Sequence, residues 1–185
     1  MKFPAVALLL ALPACAIPPP PTPVTLPDSA RPEGLGDPVR GAILGSAFVF
    51  ARPTSVAGDP AAAAMALGQV AFLAVELAGP RWIGLDPLVV PMLGRARAEI
   101  RATFGFAQIA PQAATDALFA TAEALRRNDT QAATRALTPL APGAEAATLA
   151  RLAALPPLPE TAQATARANR ALMQRDQGHG RRPFF

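Results

Sequence analysis

The stretch DPAAAAMALGQVAFLAVELAGP, residues 59–80, is the clearest indication in this chain of a helical core. Asp59 is a good N-cap, because its carboxylate accepts amide hydrogens that have no partner inside a helix. Pro60 suits the first helical position, because it has no amide hydrogen to satisfy. A Gly-Pro pair then gives the expected stop. Between these signals nearly every residue is apolar except Gln69 and Glu76, which are seven apart and share one face. The stretch therefore predicts a central core helix with one polar edge.

The same Asp-Pro start recurs on both sides, at residues 37–38 and 86–87, and apolar residues at helical spacing follow each time. Ile43 to Phe50 would also suit a buried strand. Pro91 falls in the second turn of the third helix, where it is expected to tighten or kink the start. We predict an all-α bundle of six to seven helices: Pro38–Ala51, Pro60–Ala78, Asp86–Phe104, Pro111–Arg127, Thr130–Leu137, Gly143–Leu155 and Glu160–Asp176.

The third helix shows the clearest division into two faces. Its apolar face comprises Leu93, Ala96, Ile100 and Phe104, and its polar face comprises Arg95, Arg97, Glu99 and Arg101. Ala122 to Leu137 weakly resembles one hairpin of a tetratricopeptide repeat. That resemblance covers a single unit and implies an antiparallel helix pair without a function, since a solenoid needs about three units.

Residues 1–14 have the pattern of a secretory signal peptide. Lys2 supplies the positive charge, and the apolar run from Phe3 to Leu12 follows it. The run is too short for a membrane-spanning helix, which needs about 20 apolar residues. The signal therefore predicts export.

The break after this run, Leu12-Pro13-Ala14-Cys15, resembles the lipobox of bacterial lipoproteins, with Pro13 in place of the usual small residue. The resemblance implies that Cys15, the only cysteine, carries a diacylglyceryl group and anchors the chain in membrane lipid. It implies a place in the cell envelope, facing the periplasm. Ala16 after the cysteine favours the outer membrane over the inner one. The alternative is an ordinary secretory signal, cut at Ala14 or Ala16, and a soluble periplasmic protein.

We expect four parts: the signal peptide at 1–14, the lipidated Cys15 with a Pro-rich tether at 15–37, the helical domain at 38–176, and a disordered basic tail at 177–185. The proline run at 18–21 favours an extended spacer without internal hydrogen bonds. At about 3.1 Å per residue, the whole tether would hold the domain tens of Å from the membrane.

Composition excludes several functions. The formal charge is +4, but the arginines are spread along the chain rather than clustered among aromatic residues, so nucleic-acid binding is not expected. The only histidine, His179, lies between glycines near the end, where nothing would hold it for catalysis. Acidic residues are dispersed singly. We therefore predict no enzyme, no metal site and no cofactor.

The remaining candidates are ligand or interface residues, namely Trp82, Arg81, Glu76 and Arg101. A buried Glu76 would pair with Arg81 or Arg101. The favoured function is a binding or scaffolding domain with an envelope protein as partner. The alternative is a small-molecule or lipid-binding module, in which six aromatic residues enclose an apolar pocket: Phe48, Phe72, Trp82, Phe104, Phe106 and Phe119.

Overall fold

The computed structural model describes residues 22–27 and 36–179. Within these ranges the chain forms helices and no strand, which confirms the all-α prediction. The α-helices are α1 (Pro38–Ala51), α2 (Pro60–Glu76), α3 (Val89–Phe104), α4 (Pro111–Arg126), α5 (Thr130–Leu137), α6 (Glu145–Ala153) and α7 (Pro159–His179). The expected signal peptide, Cys15, the proline run at 18–21, the side chain of His179 and the end of the basic tail lie outside the described residues.

The Asp-Pro signals begin the first two helices as predicted. The Asp37 carboxylate accepts a hydrogen bond from the amide of Val39 at 3.0 Å, and the Asp59 carboxylate accepts one from the amide of Ala62 at 2.9 Å. Residues 43–50 are helical, so the alternative of a buried strand there is wrong. The cap chemistry explains why both starts lie at the expected residues.

Helix α2 lies at the centre and contacts α1, α3, α4 and α6. Leu67, Val70 and Leu73 have no exposed surface. Gly68 permits the close approach of α4, since a Cβ atom there would lie 3.1 Å from the ring of Phe119. Ala-rich α2 therefore serves as the core around which the other helices pack.

The third Asp-Pro signal behaves differently, because α3 begins at Val89 rather than at Asp86. The Asp86 carboxylate accepts from the amide of Leu88 at 3.0 Å within a turn before the helix. Pro91 consequently lies in the first helical turn and not in the second. Amides in that turn have no intrahelical partner, so Pro91 removes no helical hydrogen bond.

Helix α7 packs against α1 and α3. Arg40 of α1 pairs with Asp176 at 2.6 Å, and Arg167 pairs with Asp86 at 2.8 Å. The helix continues to His179, so residues 177–179, which the sequence assigned to a disordered tail, are helical. None of the described helices combines the length and apolar character needed to span a bilayer.

Residues 22–27, which we call the strap, have no regular secondary structure and pack on the bundle. Val24 and Leu26 are only 5% and 7% exposed and belong to the hydrophobic core. The Gln112 side chain of α4 accepts from the amide of Thr25 at 2.8 Å and donates to its carbonyl at 3.1 Å. The expected tether therefore does not extend freely through 15–37, since its strap is part of the folded body.

Candidate functional site

A cleft of about 230 Å³ opens between α2, α3, α4 and the loop that follows α3. We call it the α3–α4 cleft. Its apolar surface is provided by Leu67, Ile100, Phe106, Ile109, Leu118 and Leu140. The loop that closes one side begins at Gly105, whose φ of 69° ends α3 in the left-handed conformation that glycine adopts readily. The loop is held by a hydrogen bond from the Ala107 amide to the Leu140 carbonyl at 2.7 Å.

The polar part of the α3–α4 cleft consists of Arg97, Arg101 and Gln108. Arg97 and Arg101 lie one helical turn apart on α3. Arg101 donates to the Gln108 side-chain oxygen at 2.8 Å. Burial lowers the pKa of the Arg97 guanidinium, and the positive charge of Arg101 lowers that pKa further. The cleft thus combines an apolar floor with two neighbouring cations.

Arg97 was not among the predicted site residues, because the four polar residues of α3 were expected to share a single face. The structure divides that face. Arg95 pairs with Glu160 at 3.2 Å, Glu99 accepts hydrogen bonds from the start of α7, and Arg97 is half-buried at the cleft. The spacing of Arg97 and Arg101 was visible in the sequence, but the loop and α4 that enclose them were not.

Three of the four predicted site residues meet elsewhere, around Trp82. Its indole Nε1 donates to a Glu76 carboxylate oxygen at 3.1 Å, and the ring is 5% exposed. The guanidinium carbons of Arg81 and Arg175 lie 5.5 and 4.8 Å from the ring centroid, within cation–π distance. Arg81 also pairs with Asp37 at 3.1 Å.

Glu76 therefore meets the indole of Trp82. Within the described ranges no ion pair joins Glu76 to Arg81 or Arg101. Arg101 lies at the α3–α4 cleft instead. The Trp82 cluster links the start of α1, the end of α2 and the end of α7, which is the role of a core anchor.

The six aromatic residues do not enclose a common pocket. Phe72, Trp82, Phe104, Phe106 and Phe119 are buried in the core, whereas Phe48 is 58% exposed on α1. Phe104 and Phe106 stack with ring centroids 5.2 Å apart. Of the six, Phe106 alone lines the α3–α4 cleft. The expected aromatic pocket is wrong because the rings are used to pack helices, and the cleft walls are mainly aliphatic.

No protein-family model, curated protein or solved structure matches this chain. The α3–α4 cleft is consequently interpreted from its own chemistry. Within residues 22–27 and 36–179, no group of three or more metal-ligating side chains converges. The chemistry that the cleft offers is an apolar surface, two guanidinium groups and one side-chain amide, which together can bind a ligand.

Proposed function

We propose that this chain is an exported lipoprotein, anchored in membrane lipid by Cys15, whose helical domain binds a small molecule with an apolar body. The observation that carries the binding function is the α3–α4 cleft, with its aliphatic floor and its volume of about 230 Å³. The support for the anchor is the signal pattern that ends at Cys15.

The volume limits the size of the ligand. A protein cavity of roughly 150 Å³ accepts benzene, so a cleft of about 230 Å³ has room for about nine non-hydrogen atoms. Pockets for drug-sized ligands are larger, at roughly 300–1,000 Å³. A linear alcohol such as 1-octanol is therefore a suitable first probe of the apolar floor.

The binding function is tested with the mature chain, from residue 15, carrying Cys15→Ser. This chain contains every described residue. Methyl NMR would monitor Ile109 and Leu118 during a titration with 1-octanol, with Leu152 as a buried reference outside the cleft. Saturable shifts confined to the cleft methyl groups are expected. Equal shifts throughout the core, or an absence of shifts both with 1-octanol and with its charged counterpart octanoate, would refute the binding function.

Gly94 provides a blocking variant and its matched control. It lines the α3–α4 cleft, and a Cβ atom built there meets no heavy atom within 4 Å. Gly94→Leu is expected to place a side chain in the cleft and abolish the octanol shifts. Helix α3 should remain intact in this variant, because leucine forms helices well. Gly94→Ala is expected to preserve them. Retained binding in Gly94→Leu would place the ligand elsewhere.

The anchor is tested separately by labelling cells with a fatty-acid analogue. Label on the wild-type chain and its loss in Cys15→Ala are expected. A wild-type chain without label would disprove the anchor and favour a soluble periplasmic protein, while leaving the binding function of the domain intact.

A second candidate function is scaffolding with an envelope protein, and exposed apolar side chains on α1 favour it. Phe48 is 58% exposed and Leu44, one turn earlier, is 36% exposed. A photo-crosslinking amino acid at position 48 would test this function in cells, with position 57 as the control. A discrete adduct of constant mass at 48 alone supports scaffolding, and identical products at both positions contradict it.

A further inference from the structure

We propose that the ligand of the α3–α4 cleft carries an anionic group, a carboxylate or a phosphate ester, next to a short apolar tail, and that Arg97 and Arg101 bind this group. The inference rests on the proposed binding function and adds the chemical class of the ligand.

The first argument is the uncompensated charge at the cleft. Its lining contains Arg97 and Arg101 but no Asp or Glu. Five other arginines in the described ranges pair with carboxylates, namely Arg40, Arg81, Arg95, Arg127 and Arg167. Others, such as Arg126 and Arg151, form none of these pairs and are exposed to solvent. None of these ion pairs involves Arg97, although its side chain is half-buried. A bound anion would supply the missing negative charge.

The second argument is the spacing of the two cations. Like charges at positions i and i+4 of a helix destabilise it by roughly 0.2–0.5 kcal/mol. Arg101 is exposed to solvent, but the half-burial of Arg97 reduces the screening of this repulsion on its side. An anion between Arg97 and Arg101 would convert the repulsion into two charge-assisted hydrogen bonds.

The helix dipole offers an explanation that does not require a ligand, but it applies to only one arginine. Arg101 lies in the last turn of α3, where a cation is stabilised by the unpaired carbonyl groups. This effect falls off within one turn of the helix end. Arg97 lies a further turn back, so the dipole does not account for its position.

Gln108 prepares Arg101 for such a ligand. Its side-chain oxygen accepts from Arg101 Nη1 at 2.8 Å, which fixes the guanidinium without neutralising its charge. A guanidinium has five N–H donors in a planar fork, so most of them stay free for a carboxylate or phosphate. The neighbouring aliphatic floor, with Leu118 and Ile109, is placed to receive the tail.

The experiment compares four probes on the mature chain with Cys15→Ser: octanoate, octyl phosphate, 1-octanol and inorganic phosphate. Affinity is measured from the methyl shifts of Ile109 and Leu118, and contact with the head group from the Nε resonances of Arg97 and Arg101. Octanoate or octyl phosphate is expected to bind at least about tenfold more tightly than octanol, since a hydrogen bond to a charged group contributes roughly 1.5–3 kcal/mol.

Arg97→Gln is expected to remove this tenfold preference, because it should lower the affinity for octanoate and octyl phosphate far more than the affinity for octanol. Arg101→Gln, at a more exposed position, is expected to reduce the preference. Arg126→Gln is the matched control, because it removes one exposed charge at the end of α4, outside the cleft lining. The ratio of octanoate to octanol affinity in that control should equal the wild-type ratio.

The outcomes separate the inference from the proposed function. Equal affinity for octanol and octanoate would overturn the anion site but leave the apolar site. If inorganic phosphate competes with octyl phosphate at equal affinity, the apolar tail contributes nothing to binding. That result would overturn the proposal of an amphiphilic ligand and indicate a simple anion site. Absence of methyl shifts with every probe would refute the proposed function itself. If Arg97→Gln does not fold, the Arg101→Gln ratio decides the outcome.

Discussion

The Glu99 carboxylate of α3 accepts hydrogen bonds from the amide of Thr161 at 2.8 Å and from its hydroxyl at 2.7 Å. It also accepts from the amide of Glu160 at 3.1 Å. These amides belong to the first turn of α7, where they have no intrahelical partner. The Glu99 side chain therefore caps the N-terminus of a helix about 60 residues away in sequence, and it fixes α7 against α3.

Loss of this cap is expected to destabilise the fold. Glu99→Ala should lower the free energy of unfolding by about 1–3 kcal/mol, because two partly buried amides lose their acceptor. Urea denaturation followed by circular dichroism gives the measurement. The control is Glu123→Ala, which removes an exposed pair with Arg127 and should cost about 0.5 kcal/mol or less. Equal losses in the two variants would contradict the cap.

Stability is expected to fall in acid through Asp86. The hydrogen bonds from Arg167, at 2.8 and 3.1 Å, lower the pKa of Asp86, and the amide of Leu88 lowers this pKa further. Because the folded-state pKa lies below the unfolded value of about 3.9, the contribution of Asp86 is present above about pH 4 and is lost below it.

The measurement for Asp86 is the urea midpoint as a function of pH in the wild type and in Asp86→Asn. The two curves should differ at pH 6 and converge as the pH falls below about 4. Asp116→Asn is the control, because Asp116 accepts from Gln112 on the exposed surface and is not paired with an arginine in the described ranges. A difference between Asp86→Asn and wild type that persists unchanged at low pH would rule out this assignment.

Two glycines inside helices are expected to respond oppositely to alanine. At Gly68 a Cβ atom would lie 3.1 Å from the ring of Phe119 and 3.3 Å from Cβ of Leu118, and Phe119 is too buried to move. Gly68→Ala should therefore be destabilising, since overpacking costs about 1–3 kcal/mol. Gly94→Ala should be stabilising by about 0.5–1 kcal/mol, because its Cβ atom meets nothing. Thermal denaturation of both variants would test the pair, and the same sign for both would disprove the packing argument.

The strap is expected to contribute to global stability although it precedes the first helix. Leu26→Ala should cost about 2–3 kcal/mol, as truncation of a core leucine does. Gln112→Ala should raise hydrogen exchange at the amide of Thr25 while leaving the exchange of α2 unchanged. Pro23→Ala, on the exposed side of the strap, is the control. A Leu26→Ala variant as stable as Pro23→Ala would show that the strap detaches in solution.

Local chemistry explains which features could be predicted from the sequence. Asp37 and Asp59 start α1 and α2 because a cap depends only on neighbouring residues. Gly105 ends α3 for the same reason. Asp86 also accepts from the amide two residues on, but α3 begins only at Val89, and its carboxylate pairs in addition with Arg167, far along the chain. The pair with Arg167 is a contact that no local pattern contains.

The candidate site was less predictable than the fold. Trp82, Arg81 and Glu76 are close in sequence, and they do meet in space. Arg97 is distinguished only by the loop and α4, which enclose it from other parts of the chain. Burial of the strap could not be predicted for the same reason. Val24 and Leu26 lie in a proline-rich stretch, and the helices that bury them come from other parts of the chain.

The strap has one more consequence for a chain anchored at Cys15. The path from the anchor to Thr22 is about seven residues, and covalent geometry limits it to about 25 Å. This linker is much shorter than one that runs freely to residue 37. It joins the folded domain at the strap, where Gln112 of α4 binds Thr25. The same helix supplies Leu118 to the α3–α4 cleft. The domain of an anchored chain would lie within about 25 Å of the lipid headgroups. An amphiphile that leaves the bilayer surface would then have only a short distance to travel to the α3–α4 cleft.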